Sequence, residues 1–356
     1  MANRYWVGGT NTWNTTAGTK WATTSGGAGG AAVPTTSDDV FFDAASGAVT
    51  VTTSNSSCNN LTLTGFTGTL TTASVVAIHG HVVLATSATL TASAGSWRLR
   101  GSSNQNFTSN GKTVTSSIQK DTGAGIVQLQ DAFVSSSTVL IIIGGLNTNN
   151  HNFTAWSLYL AGSSTRSITL GSSTITLTAT STSSGANKWD ATSTGLTFSA
   201  GTSTIKFTGT PTGNFIFNGA GLTYYNVEFD HPHATNYITI TGSNTFNDLK
   251  IAPNNITKFT DGTTQTVSSF TCAAGTQRTL TGSSTGGWSI SKSSGTVSVS
   301  NCTISYSTAT GGATWEAYTT DGNTDGGNNN GWLFSPPSTF TASPMMHMMA
   351  QAGGLL

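Results

Sequence analysis

The sequence predicts an all-β repeat protein: a right-handed parallel β-helix, or solenoid, with coils of roughly 20 residues and a cap at each end. Three observations carry that prediction. Thr and Ser make up about a third of the 356 residues and Gly another 42, while Glu occurs only as Glu228 and Glu316. Branched Thr suits a pleated strand, Gly, Asn and Ser suit turns, and strong helix formers are scarce. Second, short segments alternate apolar and polar residues between turns. Examples are Leu61-Thr62-Leu63-Thr64-Gly65, Ile175-Thr176-Leu177-Thr178 and Ile238-Thr239-Ile240-Thr241-Gly242. Apolar residues at i and i+2 give each segment one inward face. Third, Asn226-Val227-Glu228-Phe229 recurs as Asp248-Leu249-Lys250-Ile251 and again as Ser269-Phe270-Thr271-Cys272, at spacings of 22 and 21 residues. One β-helical coil of three short strands and three turns has that length. Asn59-Asn60-Leu61 and Asn301-Cys302-Thr303-Ile304 read as degenerate copies.

The chain divides into four regions. Residues 1–48 hold Trp6, Trp13 and Trp21 beside Gly26-Gly27-Ala28-Gly29-Gly30, and read as an N-terminal cap. A stacked repeat needs one, because its last rung otherwise exposes apolar side chains and unpaired strand edges. Residues 49–310 are the repeat body. Residues 311–335, with Trp315, Tyr318 and Trp332-Leu333-Phe334, read as a C-terminal cap, and Pro336-Pro337 breaks any continuing strand. Residues 336–356 are rich in Met and nearly uncharged. They read as a docking tail for a partner, through Phe340, Met345, Met346, Met348, Met349, Leu355 and Leu356. Two other all-β folds compete with the solenoid. They are tandem β-sandwiches, which show turns at 8–12-residue spacing without a longer period, and a trimeric fibre of interwoven strands.

Composition narrows the function. Charged residues are 7% of the chain, 13 basic and 13 acidic, with zero formal net charge; an ordinary domain carries about 25%. Nucleic acid and anionic membranes call for clustered Lys and Arg, so neither is an expected partner. The longest apolar run, Val139-Leu140-Ile141-Ile142-Ile143, is strand length, against roughly 18 residues for a spanning helix. Hydrophobic residues are 36% and recur regularly, which argues against disorder. Three cysteines, Cys58, Cys272 and Cys302, do not make a disulfide framework, and the first residues have no signal-peptide character. Reduced, buried thiols and cytoplasmic synthesis are expected.

The caps carry a family resemblance. Arg4-Tyr5-Trp6-Val7-Gly8-Gly9-Thr10, the Gly-rich stretch, Val33-Pro34 and Asp38-Asp39-Val40-Phe41-Phe42-Asp43 resemble the N-terminus of phage β-rich virion structural proteins of tail-fibre, spike and decoration type. Thr324-Asp325-Gly326-Gly327-Asn328-Asn329-Asn330-Gly331-Trp332-Leu333-Phe334 resembles their ending. The likeness covers the caps, brings no catalytic motif, and leaves the Met-rich extension as a departure. It implies a virion component assembled in the host cytoplasm, contacting other capsid or tail proteins and a host surface glycan, and self-associating as a homo-oligomer such as a trimer.

The residues offer few sites for chemistry. Glu228 and Asp230, at i and i+2 beside His231-Pro232-His233, share a strand face and are the best acid and base for glycoside cleavage. Solvated surface charge is the plainer reading. Asp38, Asp39, Asp321 and Asp325 suit turns. His79-Gly80-His81 and His231-Pro232-His233 could each supply two imidazoles to a metal shared around a trimer axis, although loop histidines are the default. Trp97, Trp156, Trp189 and Trp288 lie in the repeat, where a tryptophan either stacks on sugar or fills the core. The expectation is a non-enzymatic structural protein without cofactor or metal. A polysaccharide depolymerase and a bacterial surface adhesin are the alternatives.

Overall fold

Alternating apolar and Thr residues make each short strand a ribbon with one side that must leave water. The computed structural model describes residues 1–160, 162–180, 186–210, 212–230, 235–253, 255–272 and 275–337. In it the ribbons wind into a parallel β-solenoid. Among the described residues, helix is confined to the single 3-10 turns Ala44–Ser46 and Thr319–Asp321.

One coil runs through the strands Leu61–Thr62, Thr69–Thr72 and Val76–Ile78; the next starts at Val82–Val83, with Val82 paired to Leu61. Three faces result. The first is a 10-stranded sheet from the N-terminal strands to Leu196–Ser199. The second begins as a 4-stranded sheet, Asn11–Trp13 to Thr89–Ala92, and continues as a 10-stranded one, Thr113–Val114 to Ser307–Thr310. The third is a 13-stranded sheet from Ser56–Cys58 to Thr324–Asp325.

The repeat in the sequence is the register of the second face. Asn226, Val227, Glu228 and Phe229 pair with Asp248, Leu249, Lys250 and Ile251, which pair in turn with Ser269, Phe270, Thr271 and Cys272. The two segments read as degenerate copies lie at other points of the coil. Leu61 is on the first face and Cys302–Ile304 on the third. A coil can be counted from any of its strands, so a shared pattern does not fix a shared face.

Inward residues stack in columns. On the third face Val76, Trp97, Ile118, Val139, Leu158, Trp189, Phe217, Ile240 and Phe259 follow one another through successive coils. On the second, Phe133, Phe153, Ile175, Ile205, Val227, Leu249 and Phe270 do the same. All of these are buried. Each such side chain contributes roughly 1.5–3 kcal/mol by leaving water. A void of about 20 Å³ among Leu99, Phe107, Ile118, Val127 and their neighbours is apolar throughout, which keeps it dry.

Residues 1–48 are both first coil and lid. Asn3–Trp6 and Asp39–Phe41 join the first face in parallel, and Trp21–Ala22 folds back antiparallel on Asn3–Trp6 to close its edge. Trp6, Trp13, Trp21 and Phe42 pack with ring centroids 5.0–6.0 Å apart over the first coil. At the other end Trp315 and Trp332 meet edge to face at 5.2 Å, and the indole of Trp332 donates to Ser307 Oγ at 3.0 Å.

The corners need different chemistry, because their carbonyls point away from the ladders. Asn110 and Asn149 sit at φ near +49° and donate Nδ2 to Leu84 O and Leu129 O. Gly201 has φ +58°, and a Cβ there would lie 2.3 Å from Gly171 O in the coil below. Only glycine fits that corner.

The cross-section changes partway along. The first face ends at Leu196–Ser199, and the long strands Thr223–Phe229, Thr245–Ile251 and Thr264–Cys272 follow on the second. The next strand, Trp288–Ser291, pairs with Thr264, Gln265 and Thr266 only. A new 3-stranded sheet, Thr296–Ser298, Thr314–Glu316 and Trp332–Leu333, then forms beside it.

Leu249 tests the inward assignment, being fully buried between Val227 and Phe270. Leu249→Ala is expected to cost about 2–5 kcal/mol in urea unfolding. Leu249→Asp, which buries an unpaired charge, is expected to abolish folding by circular dichroism. A folded, equally stable Leu249→Asp protein refutes the assignment.

Candidate functional site

The outer faces carry whatever recognition or chemistry the solenoid performs, and the strand register decides which residues meet there. Glu228 and Asp230 do share the outside of the second face, but they do not face a substrate groove alone. Lys206 lies one coil before Glu228 and Lys250 one coil after, in direct register. Lys206 Nζ is 2.8 Å from Asp230 Oδ2 and 3.6 Å from Glu228 Oε2, and Lys250 pairs with Glu228 Oε1. The result is an alternating ladder of two cations and two carboxylates. The hydrogen bond to Asp230, then the charges of both carboxylates, raise the Lys206 pKa above the ordinary lysine value, against a smaller desolvation effect. His231 and His233, which the acid–base reading placed beside them, lie outside the described residues.

The other acidic residues build turns. Asp38 accepts from the backbone N of Ala2 and Thr35 and from Thr35 Oγ1. Asp39 accepts from Asn59 Nδ2 and from Asn60 N and Nδ2. Asp325 accepts from Gly327 N and Asn329 Nδ2. Asp261 takes hydrogen bonds from Ser284, Gly286 and Ser283, which lower its pKa to about 2. The second glutamate, Glu316, accepts from Ser298 Oγ at 2.5 Å and Tyr318 OH at 2.8 Å. Carboxylates held ionised in this way are poor proton donors.

His79 and His81 flank an open groove of about 440 Å³ with Asn59, Asn60 and Asn104. His81 Nδ1 accepts from Asn106 N at 2.9 Å, which ties up one ring nitrogen in the turn. Burial, then Arg100 and Lys120, lower the His79 pKa. Among the described residues no group of three His, Cys, Asp or Glu is placed to hold a metal ion.

Of the four repeat tryptophans, Trp97, Trp189 and Trp288 are core residues, each no more than 2% exposed. Trp156 is half-buried at a corner, and Lys188 Nζ lies 4.1 Å from its ring centroid. The docking residues Phe340, Met345, Met346, Met348, Met349, Leu355 and Leu356 lie outside the described residues.

The sequence reading missed two features. One is a charged patch on the third face, where Arg98 and Arg100 both bind Asp121, at 2.6 and 2.9 Å. Its signal was the spacing: Asp121 follows Arg100 by 21 residues, one coil. The other is a set of cations buried in the corners. Lys120 donates to the carbonyls of Gly101, Thr122 and Gly123. Arg166 donates to those of Ser164, Thr192 and Thr194. These side chains plug the interior ends of the turns and do not reach a ligand.

Two predictions follow from these charges. The Glu228 ladder is structural and exposed, so Glu228→Gln is expected to lower stability by about 1 kcal/mol or less, with the loss shrinking in high salt. Urea unfolding at low and high ionic strength reads both. A loss of several kcal/mol, insensitive to salt, overturns the surface assignment. Burial, partly offset by Asp121, pushes the Lys120 pKa down to about 8, below the unfolded value of about 10.4. Between those values the unfolded chain holds a proton that the folded chain has released, so this lysine makes stability rise with pH. The stability gap between wild type and Lys120→Met should therefore widen in favour of wild type from about pH 8 to about pH 10. Parallel curves sink the assignment.

Compared with protein-family models, with curated proteins and with solved structures, the chain has no match.

Proposed function

We propose that this protein is a non-catalytic structural component of a phage particle: a rigid β-solenoid that serves as a tail fibre, spike or capsid decoration. One observation carries the reading most. The best acid–base candidate in the chain, Glu228 with Asp230, is locked between Lys206 and Lys250 in an ion-pair ladder that stitches three coils together. Charge at this place reinforces the rod. The rest of the architecture fits a mechanical role. Parallel ladders run from the Trp-rich lid to the C-terminal sheet, and both ends are closed by aromatic clusters.

The resemblance of the two caps to phage virion proteins supplies the setting. In it, the Met-rich segment 336–356 docks on another virion protein, and the neutral outer faces meet a host surface glycan. Copies of the chain associate as a homo-oligomer. Among the described residues no helix is long and apolar enough to cross a membrane.

Cryo-electron microscopy of the particle tests the proposal, together with a chain truncated after residue 337. The expected result is a β-solenoid on the particle surface whose 336–356 segment is buried against another virion protein. The truncated chain is expected to fold with unchanged circular dichroism and to be missing from particles. Particles that lack the protein, or glycan cleavage by the purified chain that Glu228→Gln abolishes, overturn the reading in favour of an adhesin or a depolymerase.

A further inference from the structure

The cysteines were expected to be inert buried thiols, and one of them is. Cys58 is fully buried on the third face, where burial raises its pKa far above the usual thiol range. The other two meet. Cys302 Sγ and Cys272 Sγ are 3.5 Å apart and share a thiol hydrogen bond, although the residues are 30 positions apart in sequence. Cys272 is half-buried and closes the strand Thr264–Cys272; Cys302 is buried and opens the strand Cys302–Ile304.

We propose that Cys272 and Cys302 are a covalent modification site, a redox-set staple that closes as a disulfide when the protein meets a low-molecular-weight disulfide. Three features of the site support this. The sulfurs already touch, and bonding at about 2.05 Å asks only for an approach of about 1.5 Å. A buried cation attends the pair: Arg278 donates Nη1 to Cys302 Sγ at 3.5 Å and to Ser300 O at 2.7 Å. A guanidinium beside a thiol favours the thiolate, which is the reactive form. The hydrogen bond from Cys272, followed by Arg278, lowers the Cys302 pKa, while burial works against them. The third feature is location. Cys272 ends the inward column Ala155, Leu177, Phe207, Phe229, Ile251. It lies at the end of the strand from which the second face does not continue. A bond to Cys302 ties this end to the third face one coil later.

The chemistry balances as two exchanges. The exposed edge of Cys272 attacks one sulfur of the external disulfide. The small thiolate leaves with the Cys272 proton, and a mixed disulfide remains on Cys272. The Cys302 thiolate then attacks the Cys272 sulfur, breaks the mixed disulfide, and releases the second small thiol with the Cys302 proton. Two protein thiols are oxidised to one disulfide, and one external disulfide is reduced to two thiols.

The test is to incubate the full chain with oxidised glutathione, alkylate it in denaturant, and read intact mass and peptide map. Free thiols are expected to fall from the three present to one, Cys58, with a peptide cross-linked between positions 272 and 302. The thermal midpoint should rise, and should return after dithiothreitol. Cys58→Ser should behave as wild type. Cys302→Ser should stop at a glutathione adduct on Cys272 with no rise in midpoint. Three unreacted thiols in the wild type, or a stable glutathione adduct there, overturn the proposal. That count is decisive whether or not the variants fold.

Discussion

The parallel register of successive coils is the constraint on which the rest of this structure depends. Each strand gives its backbone hydrogen bonds to the coils before and after it, so a side chain stands on the residue one coil away rather than on its sequence neighbours. Like therefore stacks on like. Thr71 and Thr91 stand in register on the outside, their hydroxyl oxygens 2.8 Å apart. Phe133 lies flat on Phe153 on the inside, and Phe207 on Phe229. Charge is admitted to an outer column only where the sign alternates, as from Lys206 to Glu228 to Lys250. A column of one sign would repel itself at strand spacing. The scarcity of charge in the whole chain is the compositional trace of this rule.

The ladders satisfy strand backbone but leave the corners, and the corners take the polar residues that the faces reject. Asn at positive φ, Gln105 and the buried Lys120 and Arg166 each turn donors toward carbonyls that no strand reaches. A lysine with three N–H groups against three carbonyls can remain inside without a carboxylate partner, because its hydrogen bonds replace those of water. Corners also absorb changes of length. Ile168 pairs with Phe198 and Ile175 with Ile205, each 30 residues on, yet the stacking of both columns is unbroken. Extra chain leaves the ladder at a corner and returns in register.

This logic explains what could be read from the sequence. Alternation and the 21- and 22-residue recurrences were sufficient for the solenoid, because strand period and coil length are written directly in the order of residues. The same recurrence placed Lys250 over Glu228, so the ion-pair reading of the acidic motif was already within the pattern. The position of Lys206, 22 residues before Glu228, completes it. The roles of Trp97, Trp189 and Trp288 were not legible, because an aromatic residue near a strand end can turn to either side of the corner. The Arg98–Asp121–Arg100 cluster escaped because the period drifts in the early coils: Val82 pairs with Phe107 at a step of 25, but Phe107 with Leu129 at 22. The meeting of Cys272 and Cys302 escaped for a related reason. They stand on different faces, and no single-face period relates them.

The stability of a stacked repeat is the sum of its coils and the interfaces between them, so it is least secure where an interface is incomplete. Here that place is identifiable. Through the early and middle coils all three faces continue from one coil to the next. After Leu196–Ser199 the first face stops, and after Thr264–Cys272 the second continues from only half its width. The aromatic packing is dense on both sides of this break. Trp189, Phe198, Phe217, Tyr224 and Phe246 form one contiguous cluster before it, and Phe259 stacks on Trp288 at 3.8 Å across it. Large flat side chains bridge a gap that backbone pairing leaves, since each buries more area than an aliphatic residue and tolerates an irregular neighbour. The rod is thus two ladders of different cross-section joined by aromatic packing, and a force along its axis would be carried by side chains at that joint and by backbone hydrogen bonds elsewhere.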